Sequence, residues 1–344
     1  MKPLHKFFPI LMFFLIIGAV IIAGCTTKQT TPQAGQTAPM ATPAASASTT
    51  LVIATTTSLY DTGLLNYLEP IFEKQYNVDL KITSQGSGKA IELAKKGDAD
   101  VLLVHSPAQE LAFMKDGFGL NRRSFASNYY LIIGPAADPA GIKDMTPETA
   151  FKTLILKGTN NTAGVAFVSR GDSSGTHNAE QNIWKSAGFN YTRDVRGSGK
   201  WYVEAGKGMG ETLQMASEKT AYALTDEGTF LAYKTNLTVV PLVSSGQSLL
   251  NIYSVMTVYN DKQPAEKITM ANNFINFLLS QKIQADIANF GVDKYGKSLF
   301  IPMSVSVPEA PAGWVADHTS PATDVKPAVT IAATTAAAAA TTAK

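Results

Sequence analysis

Residues 165–187 read VAFVSRGDSSGTHNAEQNIWKSA and place three kinds of local structure in direct succession. The apolar residues 165–168 are typical of a buried β-strand, and residues 178–187 have the pattern of an α-helix. Between them, residues 169–177 contain an arginine, two glycines and several hydroxyl side chains. Because a helix N-terminus exposes backbone N–H groups and glycine lets the backbone approach a ligand, this loop predicts an anion-binding site.

The strand of this unit is one of a series that alternates with helical segments along the chain. The other predicted strands of this series are 51–54, 78–83, 100–104, 221–224 and 238–242. Strands that alternate with helices in sequence form parallel sheets covered by helices on their faces. The order of the segments therefore predicts an α/β fold in which each sheet is mostly parallel.

Two more apolar runs, 129–134 and 252–258, have the composition of strands that carry the chain between two lobes. A chain of 344 residues with 45% hydrophobic content exceeds one average domain and can form two cores. We therefore expect a discontinuous first lobe, residues 51–130 and 245–303, and a second lobe, residues 131–244.

The N-terminus has the pattern of a secretory signal peptide. Two lysines and an apolar run lead to Ile22-Ala23-Gly24-Cys25, which matches a lipoprotein cleavage box. The alternative is a transmembrane anchor, but the run is short for a span and contains Pro9. We predict a signal peptide at 1–24 and lipid on Cys25, which would hold the protein at the cell surface or in the periplasm.

The two tails and the charge balance limit the range of partners. Residues 25–50 and 304–344 are rich in Thr, Ala and Pro, so we predict a disordered tether and a low-complexity tail that does not dock. Loss of the signal peptide removes two of the 29 basic residues, so the remaining chain has 27 basic and 27 acidic residues. A chain without net positive charge is not expected to bind nucleic acid.

Four further donor-rich loops precede predicted helices: 55–58, 85–89, 204–210 and 225–229. In open α/β sheets, ligands bind outside the carboxyl ends of the strands, where such loops lie. Turn and cap chemistry explains any one of them, but their number favours a shared anion site. Residues 85–89, QGSGK, are not a nucleotide phosphate loop, because Thr83 replaces the first glycine and Ala90 follows the lysine.

Two other functions are compatible with parts of residues 169–177. The letters GDSSG resemble the nucleophile loop of trypsin-like proteases, so a hydrolase would use Ser173 or Ser174 with His177. A histidine three residues from a serine on a helix start does not form a triad, which argues against an enzyme. The tripeptide Arg-Gly-Asp at 170–172 would suit an adhesion protein if it were exposed.

Five segments together resemble one family. TTTSLYDTGLL, KKGDADVLLVHSP, SRGDSSGTH, WYVEAGKGMGETLQMA and ALTDEGTFLA, in this order within residues 51–303, are similar to segments of the tungstate-binding proteins of ABC importers. This resemblance implies a two-lobed, type II periplasmic-binding-protein fold whose lobes are joined by two crossing strands, with an oxyanion in the cleft. The oxyanion-binding residues that it implies are Thr56, Thr57, Ser58, Ser87, Gly88, Arg170, Ser174, Gly175 and Thr176.

The expected function is capture of tungstate without any bond being made or broken. Hydroxyl and N–H donors replace the hydration of a tetrahedral dianion, and Arg170 adds a fixed charge. An acceptor aimed at the ligand would favour hydrogen phosphate instead, so we expect Asp172 to bond Arg170 or loop N–H groups. A receptor for molybdate, sulfate or phosphate remains the alternative within the fold.

The remaining expectations concern partners. The resemblance implies a membrane-embedded ABC permease that receives the ligand. We expect a monomer with no cofactor and no metal site other than the oxyanion itself.

Overall fold

The computed structural model describes residues 49–303 and 321–323. The predicted signal peptide, Cys25, nearly all of the tether and most of the C-terminal tail lie outside these residues. Within the described part of the chain, no helix is both long enough and apolar enough to cross a membrane.

The chain first builds three strands that alternate with helices. Their bounds are β1 Thr49–Thr56, α1 Thr57–Asp61, α2 Leu64–Tyr76, β2 Val78–Gln85, α3 Ser87–Lys96, β3 Val101–Val104 and α4 Pro107–Lys115. Strand β1 pairs in parallel with both β2 and β3. The helix α2 ends at Asn77, which adopts a left-handed backbone conformation (φ 51°), as asparagine does more readily than most residues.

A 17-residue strand, β4 Gly119–Pro135, then leaves this first set of elements. The following elements are α5 Pro147–Thr159, β5 Phe167–Ser169, α6 Gly175–Ser186, a π-helical turn Tyr191–Val195, β6 Tyr202–Glu204, α7 Met209–Glu218, β7 Ala223–Asp226, α8 Glu227–Tyr233 and β8 Val239–Val243. The end of β4 pairs antiparallel with β7 and β8, whereas β5 pairs in parallel with β6.

The chain returns on β9 Leu250–Val258, which runs antiparallel to both β3 and the first part of β4. It closes with α9 Ala265–Leu279, α10 Gln281–Asn289, α11 Val292–Tyr295 and β10 Ile301–Pro302. Strands β4 and β9 therefore lie side by side where the chain passes between the two sets of elements.

The buried apolar side chains form separate clusters in the two lobes. Lobe one contains two clusters built from residues 51–126 and 253–300 together with Ala322, with Phe72 and Phe274 packed edge to face. Lobe two contains two clusters built from residues 130–249, in which Trp184 packs against Phe151. Burial of each such side chain contributes roughly 2 kcal/mol, so each lobe has a core of its own.

The predicted α/β fold class is confirmed, with one correction. Strand β1 pairs in parallel with β2 and with β3, and β5 pairs in parallel with β6. Strands β4 and β9, however, pair antiparallel with their neighbours. The sheets are mixed because the chain leaves lobe one on β4 and comes back on β9 in the opposite direction.

The described part of the tail also differs from expectation. Ala322 is 7% exposed and joins the core of lobe one. The side chain of Asn276 accepts from the Ala322 N–H at 2.7 Å and donates to its carbonyl at 3.3 Å. Residues 321–323 therefore pack against lobe one. The Asn276 side chain forms hydrogen bonds with the backbone of Ala322, whose own side chain is small and apolar.

Candidate functional site

The loop after β5 presents a buried arginine to the opposite lobe. Strand β5 ends at Ser169, and α6 begins at Gly175 with Ser174 as its N-cap, whose Oγ accepts from the His177 N–H at 3.1 Å. Arg170, between them, is only 2% exposed. One of its terminal nitrogens, Nη2, donates to Thr57 Oγ1 of lobe one at 3.4 Å. The guanidinium therefore lies at the interface of the lobes.

Asp172 is engaged on both carboxylate oxygens within its own loop. Oδ2 accepts from Arg170 Nη2, and Oδ1 accepts from the Ser174 N–H at 3.2 Å. The prediction that Asp172 bonds Arg170 or loop N–H groups is confirmed, and the carboxylate bonds one of each. The pair leaves Arg170 Nε buried and without a hydrogen-bond partner in the part of the chain that the structure describes.

Thr176 supplies a second donor of the same kind. It lies in the first turn of α6 and is 1% exposed, and its Oγ1 has no hydrogen-bond partner among residues 49–303 and 321–323. Its neighbour Gly175 donates its N–H to Ser87 Oγ of lobe one at 3.0 Å. A buried polar group without a partner costs about 1–3 kcal/mol, so two of them in one interlobe loop call for an explanation.

The hydroxyls of residues 55–58 have different surroundings. Thr56 caps α1 by accepting from the Leu59 N–H at 3.3 Å, and its Oγ1 lies 3.3 Å from Ser58 Oγ. Ser58 Oγ lies 3.0 Å from His105 Nε2. Two of the three predicted hydroxyls here are thus hydrogen-bonded inside lobe one, and Thr57, which faces Arg170, is the one directed at lobe two.

His105 occupies the junction of both lobes and the strands between them. Its Nδ1 lies 2.9 Å from Asn251 Oδ1 on β9 and 3.0 Å from the Tyr130 hydroxyl on β4. Burial lowers its pKa to about 4, so the ring is neutral at physiological pH and has one donor and one acceptor nitrogen. The ring stacks on Tyr253 at a centroid distance of 4.9 Å.

The other side of the His105 ring meets lobe two at Gly175. A Cβ atom placed on Gly175 would lie 2.7 Å from the ring, closer than carbon atoms pack. Glycine is therefore required here by the close approach of the two lobes.

Several other hydrogen bonds join the lobes. Gly88 donates its N–H to the Ser173 carbonyl at 3.3 Å, and Asn178 donates from Nδ2 to Ser106 Oγ at 2.9 Å. Thr229, in the first turn of α8, donates to the Ser58 carbonyl at 3.2 Å. These bonds bring the predicted loops 55–58, 85–89, 169–176 and 225–229 together at one interface.

The predicted loop 204–210 has a supporting position. The Gly206 N–H donates to the carbonyl of Arg170 at 2.8 Å, and Gly208 is the N-cap of α7. This loop thus holds the backbone of the arginine, while the other predicted loops meet across the interface.

A cavity of about 490 Å³ adjoins this interface between α4, α6 and the start of β9. It shares His105, Tyr130 and Gly175 with the site, and its other lining side chains are uncharged. Arg170, Ser87 and Thr176 do not line it, so the buried donors lie next to the cavity rather than within it.

Comparison with known proteins identifies the family of this fold. A family model described as a PBP superfamily domain matches residues 30–282. The chain belongs to the PBP superfamily.

Relatives within the superfamily are similar over most of their length. A Haloferax volcanii protein named as an ABC transporter anion-binding protein is 42% identical over 84% of both chains. The tungstate-binding protein TupA of Peptoclostridium acidaminophilum is 37% identical over 83% of this chain and 94% of its own. The structure of TupA from Desulfovibrio alaskensis G20 has a TM-score of 0.61 at 39% identity and covers 74% of this chain and 99% of that one.

Neither the hydrolase hypothesis nor the adhesion hypothesis agrees with the structure of this PBP superfamily member. Ser174 Oγ accepts from the His177 backbone, and His177 Nδ1 accepts from the Ser173 N–H at 3.0 Å, so the ring is not bonded to either serine hydroxyl. The relatives are binding proteins, and this chain is likewise not an enzyme. The adhesion hypothesis is wrong, because Arg170 is buried.

Three polar residues at the interface of the lobes were not predicted from the sequence: His105, Tyr130 and Asn251. His105 follows directly after β3, at the carboxyl end of a strand, which is the position where ligand-site residues are expected. Tyr130 and Asn251 lie within strands, where no loop pattern marks them. Trp184 and Trp201 are both in the core of lobe two.

Proposed function

We propose that this protein captures tungstate between its two lobes and delivers it to the permease of an ABC importer. The names of two similar proteins support the ligand, and the name of a third supports an anion and an ABC transporter. Lipid on Cys25 would hold the protein at the outer face of the membrane, and hinge motion at β4 and β9 would open and close the cleft.

The observation that carries this proposal is a pair of buried donors, Arg170 Nε and Thr176 Oγ1, that have no hydrogen-bond partner within residues 49–303 and 321–323. Both are donors at the interface of the lobes, and one belongs to a permanently charged group. An oxyanion is the ligand class that satisfies both at once.

The predicted residues divide into two groups in this proposal. Arg170, Thr176, Thr57 and Ser87 donate to the oxyanion from side chains; the Oγ of Ser87 already accepts from Gly175, so its own proton is free to donate. The other predicted residues, which shape or cap the loops, are Thr56, Ser58, Gly88, Ser174 and Gly175.

Selectivity follows from the protonation of the ligand. Tungstate, molybdate and sulfate carry no proton at neutral pH and need donors only, whereas hydrogen phosphate also needs an acceptor. Both oxygens of Asp172 accept hydrogen bonds from the protein, which favours an unprotonated dianion. Molybdate and sulfate are the nearest alternatives, since they differ from tungstate mainly in size.

Calorimetric titration with tungstate, molybdate, sulfate and phosphate, with Thr176→Val as the probe, tests the proposal. Valine keeps the shape of threonine and removes a hydroxyl that has no hydrogen-bond partner in the described part of the chain. We expect about tenfold weaker tungstate binding with no loss of thermal stability.

Thr257→Val is the matched control, because Thr257 Oγ1 donates to Asn272 Oδ1 at 2.6 Å inside lobe one. That variant should lose stability and keep its affinity. Failure of all four oxyanions to bind, or binding of phosphate alone, would refute the proposed ligand.

A further inference from the structure

A buried carboxylate in lobe two lies behind the turn that carries Arg170. Glu180, on α6, is 1% exposed and accepts three hydrogen bonds. The donors are Ser169 Oγ at 2.6 Å, Tyr202 OH at 2.5 Å and Trp184 Nε1 at 3.0 Å. None of the sequence motifs includes this residue, and it does not face lobe one.

The bond from Ser169 links this carboxylate to the arginine turn. Ser169 Oγ also accepts from the Gly171 N–H at 3.2 Å, so Ser169 and Gly171, the two neighbours of Arg170, are joined through one hydroxyl. That hydroxyl donates its proton to Glu180 Oε2. The turn is therefore fixed on the side of α6 by a chain of two hydrogen bonds.

Backbone bonds fix the same turn on its other side. The Ala205 N–H donates to the Ser169 carbonyl, and the Gly206 N–H donates to the Arg170 carbonyl, both at 2.8 Å. Gly171 has φ +61°, and a Cβ atom there would lie 2.6 Å from the Glu204 side chain. The turn is therefore held from two sides, and Ser169 with Glu180 supplies the support on the side of α6.

A carboxylate is an expensive group to place in a core. Burial raises the pKa of Glu180 to about 7, and the three donors act in the opposite direction. Removal of such a group in favour of apolar residues is often neutral for stability, so stability alone gives no reason for its presence.

We infer that Glu180 is a positioning residue for anion binding, which acts through Ser169 to hold the turn that directs the Arg170 guanidinium toward lobe one. The inference rests on the proposed function, since it takes Arg170 as a ligand donor. It goes beyond that function because Glu180 touches neither the ligand donors nor the opposite lobe.

Two variants that remove different donors from the same carboxylate test this role. Ser169→Ala breaks the connection to the arginine turn, whereas Tyr202→Phe removes one hydroxyl that leads away from it. Both should lower stability by a similar amount. Only Ser169→Ala should weaken tungstate binding, by about tenfold, and Glu180→Gln should add little further loss to it, because the two residues act in one chain.

A second measurement does not depend on the ligand. NMR relaxation of the Arg170 Nε–H group in the ligand-free protein should show greater mobility in Ser169→Ala and Glu180→Gln than in wild type or Tyr202→Phe. Unchanged mobility in the first two variants would overturn the role of Glu180. If mobility rises as expected but wild type binds no oxyanion, the positioning stands and the proposed function fails.

Discussion

The loops 55–58 of lobe one and 169–176 of lobe two are both strand-to-helix turns rich in hydroxyls, yet they use their polar groups differently. In lobe one, the Thr56 and Ser58 hydroxyls are bonded within their own lobe, and the Thr57 hydroxyl accepts from Arg170 across the interface. Thr55 Oγ1 is buried and has no hydrogen-bond partner among the described residues. In lobe two, the loop contains the buried Arg170, and both Arg170 Nε and Thr176 Oγ1 lack a hydrogen-bond partner among the described residues. The loop of lobe one is held mainly by hydrogen bonds within its own lobe, and the loop of lobe two supplies the charged donor.

The largest change in affinity is expected for Arg170→Ala, and Ser87→Ala is the variant to compare with it. Loss of the charged donor should weaken tungstate binding by about a hundredfold or more, since a charge-assisted bond is lost and Asp172 loses its ion-pair partner. Loss of the neutral Ser87 hydroxyl should cost about tenfold. Calorimetric titration measures both, and equal losses would contradict the division between the lobes.

The buried titratable group beside each loop extends the comparison to pH. Burial lowers the pKa of His105 from 6.5 to about 4 in lobe one and raises the pKa of Glu180 from 4.5 to about 7 in lobe two. The unfolded chain binds a proton at His105 below pH 6.5 before the folded one does. The His105 contribution to stability is therefore lost as pH falls from 6.5 to 4, by on the order of 3 kcal/mol at about 1.4 kcal/mol per pKa unit.

Glu180 has the opposite sign, because the folded protein keeps its proton to a higher pH than the unfolded chain does. Its contribution is lost as pH rises from 4.5 to 7. Urea unfolding between pH 7 and 4 should show a shallower loss on acidification in His105→Gln than in wild type, and a steeper one in Glu180→Gln. Parallel curves for all three proteins would show that neither group titrates in this range.

A smaller effect is expected from the contact where the two lobes touch most closely. In Gly175→Ala, the new methyl group meets the His105 ring, which Tyr253 supports from behind, so the lobes must stay apart. We expect about tenfold weaker tungstate binding and a larger radius of gyration in X-ray scattering with tungstate present.

Gly208→Ala is the control for this contact. A Cβ atom there would be no closer than 3.7 Å to its neighbours, and the backbone is in an ordinary extended conformation. If Gly208→Ala weakened binding as much as Gly175→Ala did, the close approach at His105 would not be the cause.

The smallest effect is predicted for Asp172→Asn. Asparagine keeps an acceptor for the Ser174 N–H and removes a negative charge near the site, but it also weakens the hold on Arg170. Because the two effects oppose each other, tungstate affinity should stay within about threefold of wild type in calorimetry. A change of more than tenfold in either direction would show that Asp172 faces the ligand.

The sequence was sufficient where function depends on a loop at the end of a strand. The segments around Thr57, Ser87 and Arg170 were predicted from local composition and from the resemblance, and the structure places them at one interface. Helix α6 begins at Gly175, three residues before the predicted start, because its first turn is formed by the loop residues themselves. Pattern alone does not distinguish a donor loop from a first helical turn.

The first half of β4 was not predicted, because polar residues such as Ser124, Ser127 and Asn128 interrupt the apolar pattern of a strand. They are buried all the same, at 0% to 2% exposure. The hydrogen bonds of His105 escaped prediction for a related reason. Its partners Ser58, Tyr130 and Asn251 are up to 146 residues away along the chain, and only the folded sheet brings them together.

Both ends of the described chain belong to lobe one. Strand β1 starts at Thr49 in the first sheet, and Asn276 holds Ala322 against the same lobe. The backbone therefore enters and leaves the described structure on lobe one. Among the described residues, the backbone enters lobe two on β4 and leaves it on β9, so a rotation of lobe two about these strands leaves both ends of the described chain in place.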